Sequence, residues 1–139
     1  MKAGQRDIFY LSAPSRQLAE TSPYFENLKK SETEVLFCYE PYDELVLMQL
    51  QQFDKKTVTS VEKEMRAGPA EETVVTDQTL ELKEQTELTD WVKGTLGQKA
   101  AKIKTTSKLE NHPCVVTVEE MAAARHFIKT QVMLEWMKL

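Results

Sequence analysis

Three short runs rich in β-branched and aromatic residues, Ile8–Ala13 (IFYLSA), Val35–Tyr39 (VLFCY) and Thr57–Val61 (TVTSV), divide the first 61 residues. The stretches between them carry helix signals, not the two-residue turns that join hairpins. After Pro14-Ser15 the segment Arg16–Glu20 reads as helical. Ser22-Pro23 then starts a second helix to about Lys30, because a serine hydroxyl can cap an orphan N–H and proline at the first helical position loses nothing. Beyond Pro41, the residues Leu45, Val46, Leu47, Met48, Leu50 and Phe53 fit a nearly fully buried helix over Tyr42–Phe53. Strand, helices, strand, helix, strand in so short a span is most economically a three-stranded parallel sheet with helices on both faces.

From Glu62 to Asp77 the periodicity disappears, acids accumulate and Gly68-Pro69 interrupts any element, which marks a linker or long loop. Leu88, Trp91, Val92 and Leu96 then recur at helical spacing, with Gly97 placed as a C-cap. Lys99–Leu109 alternates like a strand with one wet face. Asn111-His112-Pro113 reads as a turn and Cys114–Thr117 as a partner strand. Thr117 and Glu120 have capping-box spacing, so a last helix should start near Val118. The predicted fold class is α/β then α+β: a small three-stranded parallel-sheet αβα module over residues 1–62, a linker over 63–77, and a helix–strand–strand–helix module over 78–139.

Composition excludes several functions. With 18 basic against 22 acidic residues and a net charge of -4, the chain has no polycation character for nucleic acid. Its apolar runs are far shorter than the roughly 20 residues of a membrane-spanning helix, so no membrane is expected. Cys38 and Cys114 read as reduced thiols. His112, Cys114 and His126 lack the spacing of a metal site, and no metal is assigned. There is no GxxxxGK[ST] or GxGxxG; Gly94-Thr95-Leu96-Gly97 is a helix ending, so no cofactor is encoded here.

Asp43 and Glu44 fall in the first turn of their helix, where unpaired N–H groups favour carboxylates by ~0.3–1 kcal/mol each. That location lowers a carboxyl pKa, whereas a general acid near neutrality needs it raised. The pair is structural, although Glu44, if exposed, could contact a partner. Lys102, Lys104 and Lys108 read as the solvated side of a strand. Met121, Ala122, Ala123, Ala124, Phe127, Ile128 and Val132 give the last helix a low-bulk apolar side. It is either core or an exposed grip for apolar segments of other proteins, since a thioether repacks against many shapes.

Particular residues carry a family resemblance. Gly4-Gln5-Arg6-Asp7-Ile8-Phe9-Tyr10, Ser22-Pro23-Tyr24-Phe25-Glu26, Glu34-Val35-Leu36-Phe37, Pro41-Tyr42-Asp43-Glu44-Leu45 and Phe53-Asp54-Lys55-Lys56 resemble the late middle domain of the heat-shock protein 90 chaperones in order and spacing. Trp91, Leu96-Gly97, the Lys102–Leu109 stretch, His112-Pro113, Val116-Thr117-Val118 and Ala123-Ala124-Arg125-His126-Phe127 look like the start of that family's C-terminal domain. The wording of Leu36-Phe37-Cys38 and of Ala123–Phe127 is nearest to the mitochondrial paralogue. The similarity covers about 1–62 and 78–131, while Val132–Leu139 matches nothing expected there.

The resemblance implies an internal piece of a larger machine, with 78–139 an incomplete C-terminal domain. ATP and magnesium would belong to an N-terminal domain lying before Met1, together with the region supplying the catalytic arginine. The dimerisation helices of the homodimeric family would lie after Leu139. In bacterial relatives, clients are held at the start of the buried middle-domain helix and along an amphipathic C-terminal helix. The matching positions are Glu44, Leu45 and Met48, then Met121, Arg125, Ile128 and Lys129. Leu45 stands where the bacterial relative has tryptophan, and Lys129 replaces an aromatic, with Phe127 the nearest ring. The implied function is a client-contacting, domain-coupling segment of an ATP-dependent chaperone, not itself an enzyme. Its partners would be unfolded or partly folded clients, and its location the mitochondrial matrix, otherwise the cytoplasm. An alternative is a stand-alone adaptor or inhibitor that binds the full-length chaperone. An enzyme would need a pocket gathering Cys114, His112 and a carboxylate.

Overall fold

The computed structural model describes residues 5–40, 42–67, 80–118 and 128. The expected strands form as β1 (Ile8–Ser12), β2 (Val35–Cys38) and β4 (Lys56–Ser60), and a short β3 (Gln52–Phe53) joins them in a four-stranded sheet of order β2-β1-β4-β3. β1 lies in the middle, parallel to β2 from Phe9↔Val35 to Ser12↔Cys38 and parallel to β4 from Ile8↔Val58 to Tyr10↔Ser60. Because side chains alternate along a strand, β1 supplies two cores. Leu11 packs on one face with Phe9, Ala13, Val35 and Phe37, together with Ala19, Leu28 and Val61 from helices. Tyr10, with Ile8, Cys38 and Val58, meets Leu47 on the other.

The helices behind those contacts are α1 (Arg16–Glu20), α2 (Glu26–Lys30), α3 (Asp43–Leu50) and α4 (Val61–Arg66). The Ser15 hydroxyl caps α1 by accepting from the N–H of Leu18 at 3.3 Å, and Arg16 pairs with Glu20 one turn on at 2.7 Å. Ser22 does cap a turn, accepting from Tyr24 N at 3.3 Å, but the regular helix α2 begins only at Glu26. Phe25 stacks edge-on to Phe37 with ring centroids 5.2 Å apart, a contact worth about 0.5–1.5 kcal/mol beyond its burial.

Four expectations are corrected. The sheet has four strands rather than three, its extra member antiparallel to β4 through Gln52↔Thr57 and Phe53↔Lys56. The third helix stops at Leu50 and not at Phe53, because Gln51 turns to φ 52° and the chain reverses through Asp54 and Lys55 at φ 48° and 60°. Two consecutive left-handed residues are the geometry that suits the twist of a two-residue hairpin. Thirdly, Val61 does not end the last strand. It opens α4, with the Ser60 hydroxyl accepting from Glu62 N at 3.2 Å, and drives its side chain into the core at 1% exposure.

The fourth correction concerns the later residues. α5 (Leu82–Leu96) forms as expected, opened by a reciprocal Glu81–Glu84 capping box and closed by Gly97 at φ 53°. Neither Lys99–Leu109 nor Cys114–Thr117 is a strand; a 3-10 turn takes Gly97–Lys99 and the rest is irregular. Two short strands alone are marginal in water. Here Thr106 Oγ also accepts from Lys108 N at 3.2 Å, a local bond that competes with an extended ladder. The last helix, with Met121, Arg125, Phe127 and Lys129, lies outside the described residues, as does its capping-box partner Glu120. Ile128 alone is described there; it is helical and exposed.

The chain divides into two compact units, Met1–Ala67 with Leu109–Leu139, and Gly68–Lys108. Residues 109–118, read from sequence as part of the later module, thus belong to the unit that contains the sheet.

Candidate functional site

α3 is apolar on almost every side, and its two acids sit where the helix begins. Asp43 Oδ2 accepts from Glu40 N at 3.2 Å while Asp43 N donates to Glu40 O at 3.2 Å, which closes the first turn without a side-chain cap from Tyr42. Glu44 points inward and is 6% exposed, so its carboxylate is not offered to a partner as the sequence reading allowed. Burial raises the Cys38 thiol above its ordinary range, and the negative charges of Asp43 and Glu44 raise it further. That thiol is held protonated and unreactive.

With Leu47 packed against the sheet and Leu45 half-buried, the opposite side of the helix is left outside. Tyr42, Val46 and Leu50, at i, i+4 and i+8, form an exposed apolar line. Met48, two residues from both Val46 and Leu50, is exposed on a different side of the helix. Phe53, on the strand that follows, is also exposed. The sequence expects Val46, Met48, Leu50 and Phe53 in a nearly fully buried helix; that expectation is corrected, since all four are exposed, as is Tyr42. The signal was present: a helix apolar all round, covered by one sheet, must leave a side facing out.

A second cluster was not anticipated. Glu26, in the first turn of α2, has a side chain only 10% exposed, and it reaches across 84 residues of sequence to the turn at 110–112. Its two oxygens accept from Glu110 N at 2.8 Å and Asn111 N at 3.1 Å, and it meets His112 Nδ1 at 2.7 Å. Burial would raise this carboxyl; the Glu110 N–H, the His112 ring, the Asn111 N–H and the nearby imidazole charge outweigh it and bring it down to about 2. Tyr24, on the same turn, donates its hydroxyl to Val116 O.

His112 and a carboxylate are therefore together, two of the three groups that a nucleophilic site would need. The third is not in place: Cys114 is exposed, and among the described residues it makes no hydrogen bond to His112. Nor, among the described residues, does any group of three or more His, Cys, Asp or Glu gather as a metal site. No helix among them is long and apolar enough to cross a membrane.

The sequence profile of the Hsp90 protein family matches residues 1–134. The chain belongs to the Hsp90 family. It is 47% identical over 136 residues to heat shock protein 75 kDa, mitochondrial, of Rattus norvegicus, covering 94% of this chain and 19% of that protein. The Bos taurus protein of the same name is 46% identical over 134 residues, 93% of the chain and again 19% of the relative. Chaperone protein HtpG of Desulfitobacterium hafniense is 27% identical over 117 residues, 84% of this chain and 19% of its own length. The chain thus spans about a fifth of these Hsp90 relatives.

Gly94 and Gly97 lie within α5 and at its C-terminal end, where the helix dipole is negative and disfavours phosphate.

Proposed function

We propose that this chain is a client-contacting, domain-coupling segment of an ATP-dependent Hsp90-family chaperone. The observation that carries this reading is the apolar line Tyr42, Val46 and Leu50 with Met48, exposed on a helix whose other side is anchored in the core. Exposed apolar surface that costs the folded state free energy is retained where something else covers it at times. A narrow apolar stripe, with a separate exposed thioether at Met48, suits weak contact with many unfolded segments. Leu45 and Met48 on α3, and Met121, Arg125, Phe127 and Ile128 by the family resemblance, complete the contact set. Ile128, at 60% exposure, is open to a visitor. Glu44 contributes through the fold of α3.

Relatives named mitochondrial in rat and cattle support a mitochondrial location, which the family resemblance puts in the matrix. ATP and magnesium would act outside the described residues, in the remainder of a full-length, homodimeric chaperone. The sequence division into 1–62 and 78–139 corresponds in this proposal to a middle-domain piece and an incomplete C-terminal domain; α4 occupies Val61–Arg66, so the expected linker over 63–77 does not begin at 63.

The test adds a destabilised client to the 139-residue chain and to Val46→Asp and Met121→Asp variants. The parent chain should slow client aggregation, and each variant should do so less. Equal aggregation with all three, and no change in client NMR spectra, would refute the proposal.

A second reading draws on α5, whose residues Leu88, Trp91 and Leu96 are exposed along one side. An apolar helix side of this kind fits a groove in a larger protein, which suits an adaptor or inhibitor that binds the full-length chaperone. Co-purification with that chaperone, abolished by Trp91→Asp, would favour it.

A further inference from the structure

The segment Glu110–Val118 lies on the first unit with little apolar burial to keep it there. It has no regular secondary structure, and Val116, its most exposed apolar residue, is 76% exposed. Among the described residues, its hydrogen bonds to the rest of that unit run to two side chains, those of Glu26 and Tyr24. The sheet beneath has the opposite character, with β1 paired on both sides and buried on both faces. Segments with few buried contacts open at far lower cost than a core strand.

We infer that Glu26 is the latch of a releasable strap: its carboxylate, clamped by the N–H groups of Glu110 and Asn111 and by His112, holds 110–118 in place, and the strap leaves and returns as a unit while the sheet stays folded. Three donors converge on one carboxylate from consecutive residues, so the bonds form and break together and not one at a time. The chain re-enters the first unit at Leu109, immediately before the clamp, so a pull arriving along the backbone from the Lys108 end of Gly68–Lys108 meets Glu26 first. Opening would uncover Tyr24 and the N-terminal turn of α2. It would also give the exposed Cys114 more freedom. The latch uses no residue of α3, so it goes beyond the client-contact proposal and stands without it.

The test is amide hydrogen exchange on the 139-residue chain and on Glu26→Gln and Glu26→Ala. Exchange at Glu110 and Asn111 should rise at least tenfold in Glu26→Ala and by an intermediate factor in Glu26→Gln. The amides of Ala13 and Val58, bonded to Cys38 O at 3.0 Å and Gln51 O at 2.7 Å, should change less than twofold. No acceleration at 110 and 111 overturns the inference, and so does equal acceleration at Ala13 and Val58, which would make Glu26 a general support of the fold. If the variants do not fold, the parent chain decides alone. Exchange at 110 and 111 should then show a shallow dependence on added urea and exchange at Ala13 and Val58 a steep one; a common slope refutes a separate strap.

Discussion

Removing the charge of Glu26 tests how its environment was read. Its carboxyl falls from 4.5 to about 2 in the folded chain, so the folded state binds its proton less well than the unfolded one. Its contribution to stability is therefore complete above pH 4.5 and is lost as pH falls through about 2. Full linkage over that interval would be roughly 3 kcal/mol. Part of the side chain still meets water and its imidazole partner is 41% exposed, so solvent screening cuts this to about 1–2 kcal/mol. Glu26→Gln keeps the shape and removes the charge. Urea unfolding at pH 7 should show the variant less stable by about 1–2 kcal/mol, with the gap mostly closed as pH falls to about 2, where the parent carboxyl is itself half protonated. Other carboxylates titrate in the same window, but they do so in both proteins and cancel in the difference. A carboxyl NMR titration of Glu26 gives the midpoint directly. A midpoint at or above 4, or a stability gap that stays constant with pH, would refute the reading of this carboxylate as clamped by N–H groups.

Val61→Ala removes two methyl groups from a site 1% exposed between Leu11, Ala19 and Leu28, and should cost about 2–3 kcal/mol in urea unfolding with an unchanged slope. Ser60→Ala deletes the hydroxyl that accepts from Glu62 N and should cost ~1 kcal/mol, read as a lower melting temperature. Val46→Asp changes an exposed position and should shift stability by no more than about 0.5 kcal/mol, while it weakens suppression of client aggregation. Under native conditions a thiol reagent should modify Cys114 quickly and Cys38 only on unfolding, because the latter is buried with its thiol held protonated beside Asp43 and Glu44.

Local signals settled much of the fold. The three parallel strands lie where β-branched and aromatic runs placed them, although only β1 is buried on both faces and β2, with Leu36 exposed, forms the edge of the sheet. Pro14-Ser15 gave α1 to the residue, and Gly97 with the spacing of Leu88, Trp91 and Leu96 gave the body and end of α5, but not its start at Leu82. The errors fall where two local options competed. Val61 continues the strand pattern but also follows a capping serine, and the helix won because it buries Val61 against Leu28. Lys99–Leu109 has the alternation of a strand, yet alternation supplies no hydrogen-bonding partner, and Thr106 captures its own backbone. The apolar outer line of α3 could have been inferred from a helix with too many apolar sides for one sheet. Glu26 could not, because nothing local in SPYFEN announces a turn lying 84 residues later.

The arrangement of α3 has a consequence for how tightly it can hold anything. A helix with an inward Glu44 and an outward Val46 spends part of its apolar surface on solvent, which the folded unit tolerates because Leu47 and the half-buried Leu45 already anchor it. The side left free is only two helical turns long, since Gln51 ends the helix. At ~25 cal/mol per Å² of apolar area, covering three or four such side chains gains only a few kcal/mol, and association entropy takes back much of it. A surface of this size cannot trap a client by itself. It can hold one briefly, and firm retention requires a second patch on the same molecule or on a partner, each weak contact raising the effective concentration for the next. Grafting a second copy of the Tyr42–Leu50 line through a flexible linker should therefore strengthen client binding by far more than twofold. A strictly additive gain would mean that the line acts as a solitary site.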